Sequence, residues 1–202
     1  MEESTSRLIT QISDEFGCSA ILRRRFPQIV HPGLLQGEVH PTFVTYLAIL
    51  GHELGYYAVA ELPISNRSKQ IFHDKTGINK REPDSVWLRA EGFKPVLFAE
   101  YEGVEDERGF ESKLRSLIEA FNDAEQKPGC LLLAWWRKQG QFQSMEFARA
   151  QKIYAKGFAH PNTGILVPPP LVPLLIWEAC FRFTQERWTF THFTHTGTWN
   201  RY

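Results

Sequence analysis

At 202 residues, with 43% hydrophobic and 13% aromatic side chains, the chain can fill one core but not two, which excludes a disordered protein and favours a single domain over 1–202. Lys plus Arg and Asp plus Glu balance at 23 each, so no global basic field marks a nucleic-acid partner and any such contact needs a local patch. The opening MEESTSRL lacks an apolar signal-type run, LVPLLIWEACF is interrupted by Pro173 and Glu178, and Cys18, Cys130 and Cys180 form no C-x-x-C pair; the expectation is a cytoplasmic protein with inert thiols.

Residues 5–16 carry Leu8, Ile12 and Phe16 at steps of four ahead of Gly17, which predicts a helix with its stop. AILRRRFPQIV follows, with Arg23, Arg24 and Arg25 in a row. In HPTFVTYLAILGHELG, Pro41 suits a first helical turn, and Phe43, Tyr46, Leu47, Leu50 and Leu54 fall on one stripe, predicting a core helix over 41–54. YYAVAELPI is rich in strand formers, and the polar stretch over 64–82 reads as a long excursion or a hairpin. PDSVWLR, the turn-like AEGFKP and KPVLFAEYEG predict two strands joined as a hairpin. Phe110, Leu114, Leu117, Ile118 and Phe121 space out a helix closed by Pro128-Gly129. CLLLAWWR is a continuous apolar run, as expected of a strand buried on both faces, with Trp135 and Trp136 on opposite sides. Beyond it, FQSMEFARAQKIYA predicts a helix, NTGILVPPPLVP is held extended by its prolines, LIWEACFRFTQERW reads as another helix, and TFTHFTHTGTWNRY suits a last strand or an aromatic-rich end packed on the body.

KPVLFAEYEG ends on two carboxylates separated by one aromatic residue. An extended chain sends Val96, Phe98, Glu100 and Glu102 to one face, so both acids point the same way. Like charges at that spacing repel, and a half-buried carboxylate costs several kcal/mol unless a cation or hydrogen bonds compensate it. Asp84, at the head of the preceding strand, lies across the hairpin from Glu100 and belongs to the same candidate set.

The order helix, three-strand meander, helix, strand resembles the core of the PD-(D/E)xK nuclease superfamily, with Pro83-Asp84 on the second strand and Glu100 and Glu102 on the third. The matching part spans residues 41–137, leaving 138–202 as a C-terminal extension. The resemblance implies an α/β, restriction endonuclease-like fold in which a mixed sheet is flanked by helices in the order α-β-β-β-α-β. It also implies a Mg²⁺- or Mn²⁺-dependent endonuclease acting on a nucleic acid, DNA above RNA, and leaves a homodimer open. Carried over residue by residue, Asp84 and Glu100 are the metal ligands, joined by Glu53 at the end of the 41–54 helix. The sequence departs from the family at Glu102, which stands where the family keeps lysine. Lys113, or Arg115, at the start of the following helix is expected to supply that charge, making Asp84, Glu100, Glu102 and Lys113 the catalytic set. Carboxylate oxygens suit a hard divalent cation, which acidifies bound water and offsets charge on a phosphate.

Arg23, Arg24 and Arg25, with Lys69, Lys75, Lys80 and Arg81, could form a phosphate-contacting patch; Lys80 and Arg81, next to Asp84, are the expected nucleic-acid contacts, whereas the three arginines read as a solvated face. His192 and His195 lack a further zinc ligand at zinc spacing, and His160 is given no function. Two other readings stand beside the nuclease. One is a binding or assembly module of the same fold in which E-x-E has lost the chemistry. The other is a glycosidase, which needs its acids to flank a sugar from opposite sides, as same-face strand neighbours do not.

Overall fold

The structure, a computed structural model, describes residues 2–62, 82–137 and 146–200. Helix α1 (Glu2–Cys18) buries Leu8, Ile12 and Phe16, the stripe its sequence presents, and Phe16 stacks on Phe193 at 4.2 Å. The Glu15 carboxylate at its end accepts from the backbone N–H of Ile21 and Leu22, satisfying the first turn of the short helix α2 (Ala20–Arg25), and from the Tyr46 hydroxyl.

Helix α3 (Gln36–Glu53) starts five residues before Pro41, so that proline lies inside the helix rather than in its first turn. The Leu35 N–H donates to Glu38 Oε2 at 2.8 Å, half of a capping box, and this fixes the earlier start. Gly51 presses the helix onto the sheet: a Cβ there would stand 2.5 Å from Ala58 Cβ and 2.9 Å from Trp87 Cε2.

Strands β1 (Tyr57–Ala60), β2 (Ser85–Leu88) and β3 (Pro95–Val104) form an antiparallel meander. Helix α4 (Glu107–Asp123), capped by the Asp106 carboxylate on the Gly109 N–H at 2.8 Å, then crosses to β4 (Cys130–Arg137), which pairs parallel to β3. Helix α5 (Ala148–Lys156) leads to a small pair, β5 (Phe158–Ala159) and β6 (Leu166–Val167). The expected helix from 142 is described only from Ala148 onward, since 138–145 lie outside the described residues.

The segment read as a helix over 175–188 is instead β7 (Leu174–Thr184) turning into β8 (Arg187–Trp199). Its apolar density comes from burial on both faces: Leu175, Trp177 and Ala179 enter one layer, Leu174 and Ile176 the other. The turn rests on Gln185 and Glu186, with φ of 51° and 62°, a left-handed pair that the sequence marks with neither Gly nor Asn.

The central mixed sheet has six strands in the order β1-β2-β3-β4-β7-β8, so the hairpin 174–199 supplies two strands of the main sheet. One face, with Leu97, Ala99, Tyr101, Leu132 and Trp136, packs on α1 and α3; the other, with Phe98, Leu131, Leu133 and Trp135, packs on α4 and α5. The fold is therefore α/β with helices on both faces of the sheet. Among the described residues, no helix is long and apolar enough to cross a membrane.

Candidate acid site at the head of β2 and the end of β3

The meander register pairs Ser85 with Ala99, which sets Asp84, one residue earlier, beside Glu100. Asp84 Oδ2 accepts the Tyr101 N–H at 2.7 Å, so the carboxylate is fixed by the backbone of the strand that carries the other acids. The same oxygen lies 3.5 Å from His40 Nε2. Glu100 is 7% exposed and within hydrogen-bonding reach of Asp84. Glu102 follows on the same face, and its Oε2 receives the Lys113 ammonium of α4 at 2.5 Å. These groups form one cluster.

Its electrostatics follow from burial and sign. Glu100 titrates well above the usual carboxylate range, because burial penalises its charge and Asp84 adds a like charge alongside, while Lys113 only partly opposes them. His40 is raised, chiefly by its hydrogen bond to Asp84 against the cost of partial burial. Burial works against the Lys113 ammonium too, but the hydrogen bond and charge of Glu102, with Glu100 and Asp84 beyond, outweigh it and hold the group above its ordinary value.

The chemistry of the donors fits a hard divalent cation. Two carboxyl groups stand within hydrogen-bonding reach of each other, that of Glu100 buried, and the nearby ammonium is already given to Glu102. Magnesium is commonly held by one or two carboxylates with water and substrate phosphate completing its shell. Among the described residues, no group of three or more His, Cys, Asp or Glu side chains is placed to hold a metal ion, so a cation here would rest on one or two carboxylates.

The structure brings Asp84, Glu100, Glu102 and Lys113 together but not Glu53. That residue lies thirteen positions beyond His40 on α3, about 20 Å along the helix axis. Its carboxylate is clamped by Arg24 at 2.9 Å and by Arg25, whose hydrogen bond leads the effects holding it below the usual range. Helix α3 reaches the acids through His40, near its other end. Sequence reading missed His40 by starting the helix at Pro41; with the start at Gln36, His40 sits one turn before Phe43, which stacks on Tyr101 at 4.5 Å. Arg115 turns away onto the Phe158 ring, leaving Lys113 as the cation from α4. Lys80 and Arg81, with Lys69 and Lys75, lie outside the described residues. Arg23 hydrogen-bonds the Thr191 carbonyl and overlies Phe190, a structural role. His195 packs on Trp177 at 4.7 Å, and His192 contacts the Thr191 hydroxyl.

Compared with known proteins, the chain matches no family model, no curated protein and no solved structure.

Proposed function

We propose that the chain is a metal-dependent nuclease of PD-(D/E)xK type that hydrolyses nucleic-acid phosphodiester bonds, DNA above RNA. The observation that carries this reading is the contact of the Asp84 carboxyl with the buried Glu100 carboxyl, beside the Lys113 ammonium held by Glu102 two residues further along β3. The order α3-β1-β2-β3-α4-β4, with an antiparallel meander and a parallel fourth strand, supports the same reading.

Asp84 and Glu100 would hold Mg²⁺ or Mn²⁺, which when bound supplies an acidified water and charge to offset a phosphate. The protein's own groups do the rest. The Tyr101 N–H and His40 both meet Oδ2 of Asp84 and so orient that carboxylate. Lys113, reached from α4, restores beside Glu100 the positive charge that E-Y-E removes from the strand, and Glu102 fixes its position. A cation so placed stabilises charge developing on phosphate oxygens.

Calorimetric titration with MgCl₂ and MnCl₂ is expected to show binding to the wild type that is lost in Asp84→Ala and Asp84→Asn. Plasmid nicking should follow the same pattern, and Lys113→Ala should keep metal binding while cutting about 10²- to 10³-fold more slowly. Cutting that survives Asp84→Asn would overturn the mechanism. A second reading, a non-catalytic module of the same fold, rests on the Lys113–Glu102 pair, which neutralises part of the cluster internally. Absence of divalent binding in the folded wild type would select it.

A further inference from the structure

A cavity of about 570 Å³ opens at the other end of β3, between the first turns of α1, the β2–β3 turn and the segment entering β4. Its volume lies within the roughly 300–1,000 Å³ typical of small-molecule sites. Val96 and Val172 give it an apolar floor, and the Tyr56 ring on its wall is itself stacked on Trp87 at 5.9 Å. Its charged lining is of one sign: Arg89, Lys94 and Lys127 contribute, and among the described residues no carboxylate lines it.

Two of these cations are held in place. Arg89 Nη2 donates to Ser4 Oγ at 2.6 Å, tying the guanidinium to α1. The Lys127 ammonium donates to the carbonyls of Phe121, Asn122 and Ala124, each at 2.7 Å, closing the end of α4. Lys94 is exposed at the rim. In a chain whose charges balance overall, three cations around one cavity make a local field for an anion. A bare anion leaves the apolar floor and most of the volume unfilled, so the anionic group must come attached to an apolar or aromatic body.

We infer that this cavity binds a small phosphorylated molecule of mononucleotide size, its phosphate on Arg89 and Lys94 and its body against Tyr56, Val96 and Val172. An arginine fork beside a lysine is the pairing that phosphate oxygens favour. The site is separate from the acid cluster: Val96 and Glu100 are four strand residues apart, about 13 Å, and the inference stands independently of the nuclease reading.

Isothermal titration of the full chain with the four nucleoside 5′-monophosphates, inorganic phosphate and adenosine tests it. The expected result is saturable 1:1 binding of at least one monophosphate, tighter than phosphate or adenosine by about tenfold or more. Arg89→Ala/Lys94→Ala, an exposed pair whose removal leaves the core intact, should weaken it at least tenfold. Val172→Phe, which fills the floor while keeping the cations, should do the same, and Asp84→Asn should bind normally. No binding of any monophosphate at millimolar concentration overturns the proposal. So does equal affinity for inorganic phosphate, or binding that ignores Arg89→Ala/Lys94→Ala.

Discussion

Glu100 is a carboxyl group placed where the fold otherwise sets apolar side chains, between Phe98 and the α4 layer, with a second carboxyl at its side. Its raised pKa means that the folded chain keeps a proton that the unfolded chain has already released. Stability is therefore greatest below the ordinary carboxylate range and falls as pH climbs from there toward the folded-state value. Glu100→Gln removes the ionisation and keeps a hydrogen-bonding group, so in chelator it should melt above wild type at pH 8, with the gap closing toward pH 4. Each kcal/mol relieved corresponds to about 2–4 °C in a domain of this size. A wild type that melts higher at pH 8 would mean that Glu100 is ionised and fully compensated. At this scale the sequence made one thing readable, the grouping in space of Asp84, Glu100, Glu102 and Lys113. It misled at Glu53, whose position beside β1 looked right while Arg24 and Arg25, far off in the chain, were waiting to pair with it. Only the three-dimensional approach of α2 to α3 reveals that.

Among the elements, α1 and α4 followed directly from periodicity and β4 from a short apolar run between turn signals, since each buries the stripe or both faces that its sequence shows. The β7–β8 hairpin did not, for two physical reasons. A continuous apolar run has no period to separate strand from helix, and the turn places Gln185 and Glu186 in a conformation usually signalled by Gly or Asn. The start of α3 was hidden likewise, because a proline suggests a first turn while Glu38 caps an earlier one. The closeness of α3 to β1 and β2 depends on Gly51, whose missing side chain admits Ala58 and Trp87. Gly51→Ala should therefore destabilise the fold by about 1–3 kcal/mol through overpacking, despite the better helix propensity of alanine. Urea denaturation measures this, and a stabilised variant would show that helix and sheet can part without cost.

For the molecule as a whole, the sheet divides the interior into two apolar layers, and β4 belongs to both. Leu132, Ala134 and Trp136 fill the layer under α3, while Leu131, Leu133 and Trp135 fill the one under α4. Neither layer can be lost without exposing the other through this strand. Thermal unfolding should accordingly be a single transition, with far-ultraviolet circular dichroism and tryptophan fluorescence coinciding, because Trp135 and Trp136 report from opposite layers. Two separated transitions would mean that the layers are independent. The two-layer plan was legible in the sequence from CLLLAWWR alone, but the six-strand order was not, since it depends on the 174–199 hairpin joining β4.

The hydrogen bond from the Tyr101 amide to Asp84 makes one backbone proton an informant on the site. Strand β2 reaches along β3 only to Ala99, so beyond that pairing the Tyr101 amide is shielded from solvent exchange by a carboxylate rather than by a neighbouring strand's carbonyl. Whatever claims that carboxylate, a proton, a cation or a phosphate-borne ligand, alters the lifetime of this one amide deuteron. Its exchange rate is a clock that runs on the state of Asp84, readable without any substrate being turned over.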